Sequence, residues 1–186
     1  SNPNTVASVN TPGNSAGVTL SGSHAYVGDD AAGFYVIDIA NPLSPQIAGS
    51  VDTPGLAGGS EVAGNYAYLA DYGYGMCVID ITNPASPQIV ASLDGLTDTY
   101  DVDIEGNTAY VSAHGLEVVD ITNPMAPAIV SSLPVYDIVV QLDVIGNYAY
   151  LAVFALSSVL GFGIVDVSNP VPVEIEGGVD TPGSAE

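Results

Sequence analysis

One motif constrains the fold of this 186-residue chain more than any other feature. The sequence Ile/Val-Asp-x-x-Asn-Pro recurs, and its asparagines are separated by 42, 40 and 46 residues at Asn41, Asn83, Asn123 and Asn169. An Ala-Tyr pair begins at Ala25, Ala67, Ala109 and Ala149, and Val-Asp/Asn-Thr-Pro-Gly spans 9–13, 51–55 and 179–183. Three landmarks in one order at a common period indicate an internal structural repeat.

Each repeat predicts four short strands, as its second copy illustrates. Strands are predicted at Ser60–Ala63, Tyr66–Ala70, Met76–Ile81 and Gln88–Leu93. Turns are predicted at Gly64-Asn65 and Asn83-Pro84, with a Gly-rich loop at Asp71–Gly75. Turn residues every 8–12 positions between runs of Val, Ile and Tyr favour an antiparallel all-β fold.

Four strands in about 40–45 residues is typical of a β-propeller blade. We therefore predict an all-β propeller of four-stranded antiparallel blades, with repeats at about 14–55, 56–97, 98–134 and 135–183. Val6–Val9 reads as one further outer strand, so residues 1–13 are predicted to be the outer strand of a preceding blade or a donated strand. Another stacked β-repeat is the alternative.

Three strings resemble the LVIVD-repeat family: Gly-Asn-Tyr-Ala-Tyr-Leu-Ala-Asp at 64–71, Cys-Val-Ile-Asp-Ile-Thr-Asn-Pro at 77–84 and Val-Asp-Thr-Pro-Gly at 51–55. The resemblance implies a β-propeller, commonly secreted or displayed at the cell surface, without family-wide catalytic residues. The third repeat departs from the pattern because no Thr-Pro-Gly follows Pro134, and the fourth carries a longer loop at Val153–Gly161.

The charge balance narrows the range of partners. The chain has 21 Asp and Glu, no Lys or Arg, and a formal net charge of −21. Because the chain has no cationic Lys or Arg side chains, it cannot displace counterions from nucleic acid, and it has no basic patch to bind anionic lipid. No apolar run reaches the ~20 residues of a membrane helix. We expect no nucleic acid partner and no membrane insertion, while cations and cationic or neutral partners remain open.

A metal site is the sharpest chemical hypothesis. The turn between the first and second strands carries Asn65, Asn107 and Asn147, with Ser23 at the same place in the first repeat. The residues four positions earlier are Glu61, Asp103, Asp143 and Thr19. First strands line the central channel of a propeller, so these carboxylates are predicted to converge there. Carboxylates held close together recruit hard cations, and the candidate cofactor is Ca²⁺. The alternative is solvated carboxylates, or carboxylates bonded to nearby backbone.

The other polar residues have plainer interpretations. The motif aspartates are expected to cap the following turn: Asp38, Asp80, Asp120 and Asp166. Asp29, Asp30 and Asp71 are expected to be solvated loop carboxylates, with oxygen ligands to a cation as the alternative. Cys77 is expected to be a small buried hydrophobe and His24 an ordinary strand residue. His114 has no His or Cys at metal-binding spacing. Tyrosines in or near loops could pack or bind sugars: Tyr35, Tyr72, Tyr74 and Tyr100.

Each end carries a predicted strand that matches the fourth strand of a repeat, Val6–Val9 at the start and Val173–Val179 near the end. Three explanations stay open: a piece of a longer propeller, an open arc, or addition of a terminal strand to another copy, which would build filaments.

The leading prediction is a non-enzymatic secreted or cell-surface protein with a structural or interaction role, whose partners are other copies or surface proteins. The alternative is a Ca²⁺-dependent ligand- or glycan-binding module, and an enzyme is disfavoured.

Overall fold

A computed structural model describes residues 3–134, 138–154 and 161–169, together with the backbone of 174–179. These residues form 16 strands in four antiparallel sheets, which we call blades 1 to 4. Blades 1 and 2 contain β1 (Gly17–Ser21), β2 (His24–Gly28), β3 (Phe34–Asp38), β4 (Gln46–Val51), β5 (Leu56–Ala63), β6 (Tyr66–Tyr72), β7 (Gly75–Asp80) and β8 (Gln88–Asp94). Blades 3 and 4 contain β9 (Val102–Glu105), β10 (Thr108–Ala113), β11 (Gly115–Asp120), β12 (Ala128–Pro134), β13 (Ile138–Ile145), β14 (Tyr148–Phe154), β15 (Phe162–Asp166) and β16 (Glu174–Val179).

Every blade is a meander in which each strand pairs with the next one along the chain. The predicted all-β fold of four-stranded propeller blades is confirmed. Neighbouring blades meet along their first strands, since β1 contacts β5, β5 contacts β9 and β9 contacts β13. Among the described strands no comparable contact joins β13 to β1, so the four blades form an open arc. No helix in the described part is long and apolar enough to cross a membrane.

The turn between the first and second strands is the most regular local feature. Its glycines have φ of 59°, 61°, 63° and 62° at Gly22, Gly64, Gly106 and Gly146. Glycine adopts this left-handed conformation without the steric cost of a side chain. The turn fixes the register, so that Thr19, Glu61, Asp103 and Asp143 each pair with the tyrosine of the following strand.

The second repeat departs most from its predicted bounds at β5 and around the β6–β7 hairpin, while β7 and β8 each end one residue away from the prediction. β5 begins at Leu56 instead of Ser60, with a register irregularity between Ala57 and Ser60. β6 continues through Asp71 to Tyr72, and β7 begins at Gly75. The predicted Asp71–Gly75 loop is therefore a tight hairpin, because Asp71 pairs with Gly75 across it.

The apolar core lies between blades, because neighbouring sheets bury the faces that they turn toward one another. We call the face that meets the next blade the forward face and the opposite one the backward face. Between blades 1 and 2, the forward residues Tyr26, Phe34 and Val36 pack with the backward residues Leu69 and Ile79. Equivalent clusters join blade 2 to blade 3 and blade 3 to blade 4. Blades 2 and 3 are covered on both faces, which explains why their third strands, β7 and β11, are buried almost throughout.

Residues 3–16 form no strand within the described part of the chain. Val9 instead packs on the backward face of blade 1, beside Ala25, Val27 and Ile37. The assignment of residues 1–13 as an outer or donated strand stays a prediction. The C-terminal Thr-Pro-Gly at 181–183 lies outside the described residues, as does 155–160 within the long fourth-repeat loop.

Candidate functional site

The open arc surrounds a central cavity of about 510 Å³. Thr19, Glu61, Asp103 and Asp143, which occupy equivalent positions of the four first strands, all line it. A fourth carboxylate, Asp101, lies on the same wall. The sequence register did not single out Asp101, because the equivalent residues on β1 and β5 are Gly17 and Gly59.

Three of these four carboxylates resist ionisation: Glu61, Asp101 and Asp103. Burial raises the pKa of Asp101 to about 6. Burial also raises the pKa of Glu61, with a smaller contribution from the charge on Asp103. Burial raises the pKa of Asp103, and the neighbouring Asp143 adds to the shift. Negative charges that share a partly desolvated space oppose one another's ionisation, so the cavity favours protons or cations.

Two of the cavity carboxylates also hold the blades together. Asp101 Oδ2 accepts a hydrogen bond from the Leu142 amide at 3.1 Å, and Asp103 Oδ2 accepts one from the Val144 amide at 2.5 Å. In the part of the chain that is described, no three His, Cys, Asp or Glu side chains are grouped closely enough to hold a metal ion. The Ca²⁺ assignment of Glu61, Asp103 and Asp143 therefore stays a prediction.

Asp29 and Asp71 were expected to be solvated, and that expectation is wrong. Both are fully buried, and each accepts hydrogen bonds from a Thr-Pro-Gly segment that precedes it. Asp71 accepts from Thr53 Oγ1 at 3.0 Å and from the Gly55 amide at 2.8 Å. Asp29 binds Thr11 Oγ1 and the Gly13 amide in the same way, and Ser15 adds a third bond at 2.9 Å. We call this arrangement the Thr-Gly clamp.

The clamp explains the recurring Thr-Pro-Gly motif. Burial raises the pKa of Asp71 and outweighs the bonds from Gly55 and Thr53. Burial also acts to raise the pKa of Asp29, but its three donors outweigh burial and lower that pKa. Blades 3 and 4 carry Ala113 and Val153 at the position of these aspartates. The aspartate and the preceding Thr-Pro-Gly are thus present together or absent together in the four blades.

The Asn-Pro turns behave as predicted. In each repeat the motif aspartate accepts a 2.8 Å hydrogen bond from the amide two residues later, at Asp38, Asp80, Asp120 and Asp166. These bonds cap the turn and account for the recurrence of the aspartate. Cys77 is buried as expected, and burial raises the pKa of its thiol to about 12. It therefore stays protonated and is a poor nucleophile.

A second, smaller pocket of about 290 Å³ opens beside the central cavity. We call it the tyrosine pocket, and its wall includes Asp30, Leu56, Ala57, Tyr72 and Tyr100. The two tyrosine rings lie 5.2 Å apart, tilted by 45°. Of the tyrosines singled out in the sequence, the structure brings these two together.

Two aspartates near the tyrosine pocket have unusual backbone conformations. Asp30 and Asp98 are the two described non-glycine residues with positive φ, at 54° and 56°. Asp98 lies beside the Tyr72 hydroxyl and raises the pKa of Tyr72. Asp98 also pairs with His114 Nε2 at 2.5 Å, a contact that the sequence spacing did not reveal. Such conformations cost free energy and are concentrated at functional sites.

The forward face of blade 4 has no blade to cover it among the described residues. Tyr26, Tyr68 and Tyr110 are 5%, 1% and 5% exposed on the forward faces of blades 1 to 3. Their counterpart Tyr150 is partly exposed, as are Phe162 and Ile164 beside it. Tyr150 stacks on Phe162 at 6.4 Å, much as Tyr26 stacks on Phe34 at 6.1 Å. Blade 4 therefore presents the same apolar surface that the other blades bury.

These blades define a β-propeller repeat protein. The sequence profile of the LVIVD repeat matches residues 12–53, 54–95, 97–134 and 138–181, and the chain belongs to the LVIVD-repeat family. No curated protein matches the chain.

Solved structures similar to the chain show the fold. A functionally unknown protein from Desulfotomaculum acetoxidans is 12% identical with a TM-score of 0.74, over 96% of this chain and 61% of that one. The computationally designed Ika4 protein is 14% identical with a TM-score of 0.69, over 90% of this chain and 100% of its own. The Cps50 (Swd1) β-propeller domain of Myceliophteria thermophila is 13% identical with a TM-score of 0.61, over 91% of this chain and 58% of that one. The chain spans 47% of another similar structure, the designed Ika8 protein.

Proposed function

We propose that this protein is a non-enzymatic interaction module that associates with further copies of itself through the forward face of blade 4 and the backward face of blade 1. The observation that carries this proposal is the uncovered forward face of blade 4, formed by Tyr150, Phe162 and Ile164. In blades 1 to 3 the equivalent residues are each packed against the backward face of another LVIVD-type blade. The partner surface that matches blade 4 is therefore such a backward face.

Blade 1 of a second copy supplies that surface. Its Val18 and Leu20 are 66% and 68% exposed, at the positions that Ser60 and Val62 hold on blade 2. Val62 packs in the cluster that contains Tyr26, and its counterparts Ile104 and Val144 share clusters with Tyr68 and Tyr110. By the same register Leu20 of one copy would meet Tyr150 of another. A head-to-tail contact of this kind either closes into a ring or extends as a filament.

This mode of assembly differs from addition of a terminal strand. Val9, Thr11 and Gly13 are engaged with blade 1 of their own chain, through the apolar cluster and the Asp29 clamp. A donated strand from this segment would first have to leave those contacts. Face docking leaves the clamp in place and buries apolar surface that is otherwise in contact with water.

Sedimentation velocity over a range of concentrations tests the proposal. The wild-type chain is expected to form dimers or larger species, more so at high salt, because salt screens repulsion between copies of charge −21. Tyr150→Glu and Leu20→Glu should each abolish association, since each buries a charge without a partner. Met125→Glu, at a residue 55% exposed in the Asn-Pro turn of blade 3, is the matched control and should associate normally. A wild-type chain that stays monomeric at high concentration and high salt would refute the proposal.

We propose that this association takes place outside the cell, at the surface, as the family resemblance implies. The absence of Lys and Arg supports this location, because trypsin-type proteases have no site to cleave. Antibody labelling of intact and of permeabilised source cells tests it. Labelling that requires permeabilisation would place the protein elsewhere.

The second candidate function is a Ca²⁺-dependent ligand or glycan module. The observation that favours it is the group of cavity carboxylates whose ionisation is opposed by burial and by one another. A divalent cation would relieve that opposition.

A further inference from the structure

We propose that the tyrosine pocket binds a small organic cation, such as a quaternary ammonium group. Two aromatic faces meet there: the rings of Tyr72 and Tyr100 lie 5.2 Å apart at an angle of 45°. Tilted aromatic rings around a small apolar pocket attract cations through their quadrupoles. The volume of about 290 Å³ is close to the lower end of small-molecule sites.

The chemistry of the wall selects a cation over a neutral ligand. Leu56 and Ala57 supply apolar contact for methyl groups, and Asp30, which lines the same wall, carries a negative charge. Asn14 Nδ2, a neutral group, donates a long hydrogen bond of 3.4 Å to Asp30 Oδ2, and among the described residues no cationic group pairs with Asp30. A cation that enters the pocket is therefore attracted by the negative charge of a residue in the pocket wall.

Acidic residues around the tyrosine pocket strengthen its preference for a cation. Tyr100 and Ala16 line both the tyrosine pocket and the central cavity, so the carboxylates of Glu61, Asp101 and Asp103 lie close to the pocket. The chain contains no Lys or Arg that could compete for the site. Negative groups around a cleft focus the field and raise the local concentration of cations.

Backbone strain at the rim supports a binding role. Asp30 holds φ of 54° and is bridged to Ala57 by two backbone hydrogen bonds of 3.1 Å. Asp98 holds φ of 56° and lies between Tyr72 and His114. An L-residue with a side chain pays conformational energy to adopt positive φ. Asp30 lines the pocket, and Asp98 contacts the hydroxyl of Tyr72 beside it.

Calorimetric titration of the full chain with choline tests the inference. The neutral isostere 3,3-dimethyl-1-butanol has nearly the same shape without the charge, and glucose represents the sugars that tyrosines and carboxylates also bind. Choline is expected to bind at least about tenfold more tightly than the isostere, because cation–π attraction and the Asp30 charge act on the cation alone. Equal binding of choline and the isostere would overturn the proposal, and so would binding of glucose without choline.

Three variants locate the site. Asp30→Asn should weaken choline binding about tenfold, and asparagine tolerates the positive φ at this position. Tyr100→Leu should also weaken binding about tenfold, whereas Tyr72→Phe should retain it because the ring face remains. Tyr148→Leu, at a residue 43% exposed on blade 4, is the control and should bind as wild type. Unchanged affinity in both Asp30→Asn and Tyr100→Leu would overturn the assignment. Circular dichroism confirms that each variant is folded.

Discussion

The buried carboxylate of Asp71 accepts a 2.8 Å hydrogen bond from the amide of Gly55. Gly55 follows β4, and Asp71 lies near the end of β6. The bond therefore joins the linker between blades 1 and 2 to the second strand of blade 2. The same relationship joins Gly13 to Asp29 at 2.7 Å. The spacing of the repeats is thus fixed by buried polar contacts as well as by apolar packing.

Removal of the clamp should destabilise the protein. Asp71→Ala leaves the Gly55 amide and the Thr53 hydroxyl without their acceptor, and we expect the free energy of unfolding to fall by about 2–4 kcal/mol. Urea denaturation followed by tyrosine fluorescence measures this change. The neighbouring exposed Asp52→Ala removes a carboxylate of the same type and should change stability by less than about 0.5 kcal/mol. Equal effects of the two substitutions would show that the clamp has no special role.

Stability should decrease as the pH rises from about 4 to about 6. The pKa of Asp101 in the folded protein is about 6, above the value of about 3.9 for an unfolded chain, so the folded state binds this proton more tightly. Its contribution is complete at low pH and is lost as the pH rises through about 6. We expect a loss of about 1–2 kcal/mol, because solvent screening reduces the full effect of the shift. Glu61 and Asp103, whose pKa values are also raised, act in the same direction.

Thermal unfolding at pH 5 and pH 7 measures this dependence. Asp101→Asn cannot titrate and should reduce the difference between the two pH values, whereas the exposed Asp94→Asn should leave it unchanged. The turn aspartates have lowered pKa values, as at Asp80 and Asp120, so their contributions are lost only below about pH 4. A melting temperature that rises from pH 5 to pH 7 would contradict the account of the cavity.

Calcium should stabilise the protein if the cavity binds it. Ca²⁺ is expected to raise the melting temperature at pH 7 by several degrees more than NaCl of the same ionic strength, because bound ligand stabilises the folded state. Glu61→Gln with Asp143→Asn should remove the extra stabilisation, while the exposed Glu105→Gln should keep it. If Ca²⁺ and NaCl have equal effects on the wild-type chain, the metal hypothesis fails and the face-docking proposal is unaffected.

The repeating part of the fold could be predicted from the sequence, because each landmark has a local cause. The turn glycines need positive φ, and Asp80 and its counterparts cap the turn that follows within two residues. These local interactions recur in each repeat, so the periodicity exposes them. The register of Glu61, Asp103 and Asp143 follows from the same turns.

The rest depends on contacts between segments that are distant in sequence. Asp71 looks like a loop residue because Gly73 and Gly75 follow it, and its burial arises from Gly55 and Thr53 of the preceding linker. Asp101 has glycine at the equivalent positions of the first two repeats, so the repeat pattern does not mark it. Only the fold shows that it reaches the Leu142 amide of the next blade. Tyr150 and Phe162 are the same residue types as the buried pair Tyr26 and Phe34 of blade 1. Their partial exposure therefore becomes visible only when the neighbours of each blade are known.

Cross-linking between two variants that each carry one introduced cysteine tests the central claim, that blade 4 of one copy docks on blade 1 of another. The native Cys77 is fully buried and stays protonated, so it does not interfere. A mixture of Leu20→Cys and Tyr150→Cys chains, oxidised and separated without reductant, is predicted to give a disulfide-linked heterodimer that neither variant forms alone. A mixture that yields only monomers, or a doubly substituted chain that closes its disulfide within itself at every concentration, would contradict the claim.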